Sequence, residues 1–242
     1  MHRLSATFEG KTVLVAGGTG GLGRAVSLAF LEAGADVAVT YRKDEEFPAL
    51  ETAAGAARAR LSGHAVDVTD ESAARKLGDA LIARCGRLDA LVNAVGGYAG
   101  GRKLWEADAG TFDAMLTSNL RSGVALCRAI VPAMVRQGTG VVVNVASRSA
   151  LVPGPGEAAY AASKAAAVAM IASLAEDLKG TGVRANSVLP SIIDTDANRR
   201  AIPKADFSKW PKPEDIARVI LFLCSDDARL VHGAAIPVYG AA

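Results

Sequence analysis

The sequence predicts an α/β fold, a doubly wound sheet of about seven parallel strands with helices on both faces. Short apolar runs alternate with longer stretches of helical periodicity along the chain. These runs are continuous rather than alternating, as in strands covered on both faces. No linker, repeat or low-complexity segment breaks the pattern, so residues 1–242 read as one domain joined by parallel crossovers.

The elements follow in order. Lys11 to Ala16 is a buried strand closed by glycines. A helix over 21–33 places Leu22, Val26, Phe30 and Ala33 at helical spacing, and Gly34 stops it. Asp36 to Thr40 is the second strand, and 41–62 has no clear period. Further strands are expected at Ala65 to Val68, Leu88 to Val92, Val141 to Val145, Arg184 to Leu189 and Ala234 to Val238. Helices are expected over about 70–85, 108–136, 157–179 and 213–224.

Composition narrows the function. Of 242 residues, 50% are hydrophobic and 21% charged, which suits a folded chain. The net charge is +2 with no basic stripe, so no nucleic-acid partner is expected. No apolar run approaches the roughly 20 residues that span a bilayer, so no membrane partner is expected either. Met1 to Lys11 lacks the apolar stretch of a secretory signal. Cys85, Cys127 and Cys224 are scattered, as are His2, His64 and His232. That argues against a disulfide scaffold or metal centre and for a reducing cytoplasm. His232 reads as a loop residue.

Between the first strand and first helix lies Ala16-Gly-Gly-Thr-Gly-Gly-Leu-Gly23. Such a loop sits at a helix mouth, where free N–H groups and the positive dipole end favour an anion. Glycines let the backbone approach a pyrophosphate, as in Rossmann-type folds. The spacing of Gly17, Gly21 and Gly23 is G-x-x-x-G-x-G rather than G-x-G-x-x-G. An acid at the end of the second strand would bind the ribose of NAD. Here the chain reads Tyr41-Arg42-Lys43, and Arg42 can fork onto a 2′-phosphate with Lys43 as a second cation. NADP(H) is therefore expected over NAD(H).

Tyr160 and Lys164 lie four residues apart in a helical stretch, on one face. A neighbouring ammonium favours phenolate, so the pair can act as general acid toward a carbonyl or base toward an alcohol. Ser147 ends the fifth strand, where open sheets place ligands, and its hydroxyl can hold the substrate oxygen.

With these residues in place, the chain resembles the short-chain dehydrogenase/reductase family over nearly its whole length. The family's glycine motif matches 16–23, with Ala16 for the usual threonine. Asp67-Val68 matches its Asp-Val, and Asn93-Ala-Val-Gly96 matches its Asn-Asn-Ala-Gly with Ala94 substituted. Asn119, Ser147, Tyr160 and Lys164 match its catalytic tetrad, and Pro190-Ser191 with Thr195 its proline-glycine motif. The resemblance implies hydride transfer between a nicotinamide cofactor and a carbonyl or alcohol. Tyr160 would exchange the proton. Lys164 would hold the nicotinamide ribose and lower the tyrosine pKa, and Asn119 would hold a water linking Lys164 to solvent. Cofactor contacts would come from Gly17, Thr19, Gly20, Gly21, Leu22, Gly23, Tyr41, Arg42, Lys43, Asp67, Val68, Asn93, Ala94, Gly96, Tyr160, Lys164, Pro190, Ile193 and Thr195.

Substrate choice is expected from three segments: Gly96 to Gly101, Ser149 to Glu157, and a lid at about 196–213. Gly97, Tyr98, Ser149 and Trp210 are the candidate contacts, with packing as the alternative for Trp210. The lid is short and polar apart from Ile202, Phe207 and Trp210, which suits a compact substrate. Gly96 to Gly101 and 194–210 also look similar to dihydropteridine reductase, a divergent family member, so pterin reduction is an alternative. A non-catalytic NADPH-sensing protein is another. The apolar helices 108–136 and 157–179 suggest a homotetramer or homodimer.

Overall fold

The computed structural model describes residues 7–241. Its sheet has seven parallel strands: β1 (Thr12–Ala16), β2 (Asp36–Tyr41), β3 (Leu61–Ala65), β4 (Ala90–Asn93), β5 (Gly140–Val145), β6 (Val183–Pro190) and β7 (Ala235–Val238). They lie in the order β3-β2-β1-β4-β5-β6-β7. The order reverses beside β1, which opens a crevice at the carboxyl ends of β1 and β4, where such sheets bind ligands.

The helices are α1 (Gly21–Glu32), α2 (Glu46–Ala54), α3 (Glu71–Cys85), α4 (Ala109–Leu116), α5 (Ser122–Gln137), α6 (Ala158–Asp177), α7 (Asp196–Ala201) and α8 (Pro213–Cys224). Successive side chains of β1 leave on opposite faces. Val13 and Val15 join Val26, Phe30, Ile216 and Ile220 in the layer under α1 and α8. Leu14 joins Leu81, Leu126, Ile130 and Ile171 under α3, α5 and α6. Fully burying each such side chain contributes about 1.5–3 kcal/mol.

The third strand lies earlier than the sequence suggests, at Leu61–Ala65 instead of 65–68. Among the described residues it is the sheet edge, paired only with β2, with Leu61 to His64 half-buried and Ala65 exposed, so it needs no apolar run. The apolar segment after it is a turn. Asp67 accepts from the Thr69 N–H and hydroxyl, and Asp70 caps α3 through the Ser72 and Ala73 N–H groups. The aperiodic stretch 41–62 holds α2 and a 3₁₀ turn at Gly55–Arg60.

The helix expected over 108–136 is two helices separated by a π turn at Thr117–Arg121. Sequence periodicity survives such a turn because it adds only one residue to the register. A second correction concerns α6. It is 20 residues long with a mean hydropathy of 1.4, enough by length and composition to cross a membrane. Here it packs on the sheet with Lys164, Ala167, Ile171 and Ala175 buried. Small residues, mostly alanine, make it apolar nearly all round.

Candidate active site

The glycine loop is shaped by close approaches. Gly17 turns at φ +71°, and its N–H donates to Thr40 Oγ1 at 2.9 Å. A Cβ on Gly23 would stand 2.0 Å from the Gly17 carbonyl oxygen, so α1 can start here only with glycine. Ser27 Oγ binds the Gly18 and Gly23 carbonyls at 3.1 and 2.9 Å, fixing the loop from below. The N-cap of α1, Gly20, makes no side-chain cap, and the first turn carries no acid. Its N–H groups and positive dipole end suit a pyrophosphate. Leu22 is buried beneath, and Thr195 lies against Gly21, where a Cβ would meet Thr195 Cγ2 at 2.8 Å.

At the end of β2, Tyr41 stacks on Phe47 at 5.3 Å between centroids, while Arg42 and Lys43 are exposed. Hydrogen bonds from the Thr69 N–H and hydroxyl hold the Asp67 carboxyl below its ordinary range, and the Arg42 charge adds to this. Arg42 is therefore near Asp67. Val68 is buried in the core.

The end of β4 approaches the loop from the other side. The Ala94 N–H donates to Ala16 O at 3.0 Å. Asn93 spends its side chain on Asn144 and the Val95 N–H, at 2.9 and 3.2 Å, so it shapes the crevice wall. Asn119, in the π turn, is buried and clamps the next residues. It accepts from the Gly97 N–H at 2.9 Å and donates to Gly97 O at 3.1 Å and to Ser163 Oγ at 2.9 Å. These bonds make the Asn119 side chain a clamp between the β4 loop and α6. A Cβ on Gly96 would stand 2.7 Å from Asn119 Oδ1 and 3.0 Å from Lys164 Nζ.

Tyr160 and Lys164 project from α6, and Ser147 follows β5. The Ser147 hydroxyl lies near enough to the Tyr160 phenol to lower its pKa, and Ser147 Oγ accepts from the Ser149 N–H at 3.2 Å. Lys164 is fully buried, and its Nζ donates to the Val145 carbonyl at 3.0 Å. Burial pushes this ammonium down to about 8. The lysine was expected to lower the tyrosine pKa; the net shift of the phenol is upward. Burial raises the phenol above its ordinary value, the Ser147 hydroxyl partly offsets it, and Glu157 and Tyr98 raise it further. The reason is geometric: Nζ lies 6.0 Å from the ring centroid, turned toward Val145. Tyr160 is consequently protonated at neutral pH, the form that donates to a carbonyl.

Three of the four candidate substrate residues border this centre. Tyr98 is 61% exposed and lies edge-on to Tyr160, with ring centroids 4.9 Å apart. Its loop is tied to the Ser149–Glu157 segment by the Gly101 N–H donating to Gly156 O at 3.0 Å. Gly97 is held by Asn119, and the Ser149 N–H donates to Ser147 Oγ at 3.2 Å. Trp210 does not belong with them. It is buried and packs on Phe207 at 4.9 Å, so it anchors the lid. Pro190 ends β6, and Ile193 O accepts from the Thr195 N–H and Asn198 Nδ2, both at 2.8 Å, which folds the lid start back over the loop.

Sequence reasoning missed Glu46, whose carboxylate reaches the glycine loop, and Glu157, one helical turn before Tyr160. Only the i,i+3 spacing of Glu157 carried a signal. His232 is structural, bridging the Ala185 N–H and Ala175 O at 3.2 and 2.8 Å. Cys85, Cys127 and Cys224 are free, and burial pushes the Cys127 and Cys224 thiols up to about 12. Among the described residues no cluster of His, Cys, Asp or Glu has the makings of a metal site.

A dinucleotide cradle beside a serine, tyrosine and buried lysine defines a nicotinamide-dependent oxidoreductase. A profile of the family described as short chain dehydrogenase matches residues 11–206. The 3-oxoacyl-(acyl-carrier-protein) reductase FabG of Thermotoga maritima is 31% identical over 240 residues, 96% of this chain and 97% of the relative. Among solved structures, ElxO with NADP bound has a TM-score of 0.90 and 26% identity, covering 95% of this chain and 97% of that one. NAD+-bound xylitol dehydrogenase has a TM-score of 0.89 and 25% identity, covering 96% and 99%. The chain belongs to the short-chain dehydrogenase/reductase family.

Proposed function

We propose that this enzyme interconverts a compact carbonyl and its secondary alcohol, drawing on NADP(H) in preference to NAD(H), with Tyr160 as general acid/base. The observation that carries this is the neighbouring Ser147 and Tyr160 hydroxyls beside buried Lys164, at the open end of the sheet that bears the glycine cradle. A nicotinamide dinucleotide, when bound, supplies or accepts the hydride. The chain's own residues do the rest. Ser147 orients the carbonyl oxygen, and Tyr160 donates its proton to that oxygen as charge develops there. Lys164 supplies a cation at the ribose, and Asn119 holds Gly97 and Ser163 so that the walls keep their spacing. Arg42 and Lys43 receive the 2′-phosphate, and each charge-assisted contact contributes about 1.5–3 kcal/mol. Tyr98 presents a ring face and a phenol to the substrate.

The protein is read as one domain that works in the cytoplasm as a homotetramer or homodimer, without nucleic-acid or membrane partners. Its test is NADPH and NADH oxidation against small ketones, diketones, quinones, a β-ketoacyl thioester and a quinonoid dihydropterin, with Tyr160→Phe as blank. Turnover with one carbonyl class that collapses in Tyr160→Phe, while cofactor binding persists, supports the proposal. Turnover confined to the dihydropterin favours the pterin alternative, which rests on the similar loops 96–101 and 194–210. NADPH binding with no turnover in either direction across carbonyl and alcohol panels favours the sensor.

A further inference from the structure

Among the described residues, Glu46 is the acid whose carboxylate hydrogen-bonds the glycine loop. Thr19 Oγ1 donates to Glu46 Oε2 at 2.7 Å. The first turn of α2 holds it there. The Phe47 ring packs against Gly63, where a Cβ would stand 2.5 Å from a ring carbon, and it stacks on Tyr41. The Glu46 N–H donates to the Lys43 carbonyl at 3.0 Å, so the acid sits one turn beyond Arg42 and Lys43.

We infer that Glu46 is a specificity-determining residue for the nucleotide, acting against Arg42. The inference rests on the cofactor reading above. A 2′-phosphate entering between Thr19 and Arg42 meets the Glu46 carboxylate at close range, and like charges oppose it. A 2′-hydroxyl at the same place is a donor, and Glu46 is the acceptor it needs. Asp67 adds a second negative charge near Arg42. Two cations and two carboxylates thus bound the subsite, and the preference for NADP(H) is the small remainder. The discriminating acid has moved from the end of β2, where Arg42 stands, into the first turn of α2.

Calorimetry with adenosine 2′,5′-bisphosphate and with ADP-ribose tests this without substrate or turnover. Glu46→Gln keeps a hydrogen-bond partner for Thr19 and removes only the charge. It is expected to tighten the bisphosphate about tenfold and to change ADP-ribose less than about threefold. Glu46→Ala, which removes both charge and hydrogen bond, is expected to shift the ratio in the same direction. Arg42→Ala separates the two readings. If Arg42→Ala weakens the bisphosphate selectively while both Glu46 variants leave the ratio unchanged, this inference is wrong and the NADP(H) reading stands. If Arg42→Ala also leaves the ratio unchanged, the phosphate is not bound here and both readings fall.

Discussion

Lys164 gives the sharpest energetic test. The folded chain buries its ammonium completely, with the Val145 carbonyl at 3.0 Å as acceptor. Its pKa falls from the ordinary 10.5 to about 8. At pH 7 this costs the fold about 3 kcal/mol relative to the unfolded chain, which keeps the lysine solvated. The sign follows from proton binding. Between the two pKa values the unfolded state binds more protons, so this cost fades as pH rises above about 8 and is gone beyond about 10.5. Lys164→Met removes the charge and leaves the Val145 carbonyl without its donor, a loss of about 1 kcal/mol. The variant is therefore expected to be about 2 kcal/mol more stable than the parent at pH 7. That corresponds to about 4–8 °C in Tm for a chain of this size. By pH 9.5 the advantage should have shrunk by about 2 kcal/mol, close to nothing. Urea or thermal unfolding of the cofactor-free proteins at both pH values reads this directly. Turnover should be lost at every pH. A variant less stable at pH 7, or a stability gap that ignores pH, would refute the argument that this lysine is held at the expense of the fold.

Other outcomes follow from the same geometry. Gly96→Ala drives a methyl against Asn119 Oδ1 and Lys164 Nζ, and kcat/KM should fall more than about tenfold with an unchanged fold by circular dichroism. Gly23→Ala places its Cβ at 2.0 Å from Gly17 O, and should weaken both NADPH and NADH alike in a fluorescence titration, unlike Arg42→Ala, which should weaken NADPH alone. Trp210→Ala should cost about 3 kcal/mol in urea unfolding, since the ring is buried against Phe207. Gel filtration at micromolar concentration should give a dimer or tetramer, and a monomer would contradict the reading of α5 and α6 as partner-seeking helices.

Much of this was legible in the chain. The buried strands announce themselves because parallel strands covered on both faces must be apolar throughout. Gly17 and Gly23 could be read because a positive φ at the first and the Gly17 carbonyl oxygen against the second favour glycine. Tyr160 and Lys164 could be read because helix geometry fixes their relation over four residues. What escaped depends on distant partners. The edge strand β3 needs little apolar surface, so the more apolar Ala65–Val68 drew attention away from Leu61–Ala65. The clamp made by Asn119 escaped because its partners Gly97 and Ser163 are 22 and 44 residues away. The pKa of Tyr160 depends on where Lys164 points, and sequence spacing cannot say that its ammonium turns to Val145. Glu46 carried no motif, because its meaning comes from the loop across from it.

The π turn at Thr117–Arg121 amounts to one residue too many in an otherwise continuous 29-residue helical path from Ala109 to Gln137. Keeping that residue but winding it into a regular α-helix would restore i→i−4 bonding and a straighter, intrinsically better rod. It would also rotate everything before the turn by about 100° relative to everything after it. Asn119 would swing off the crevice while α5 kept its seat in the core. The irregularity works as a phase shifter. One half of the rod stays indexed to the hydrophobic layer and the other to the chemistry, so engineering that idealises this helix would gain regularity and lose the alignment between them.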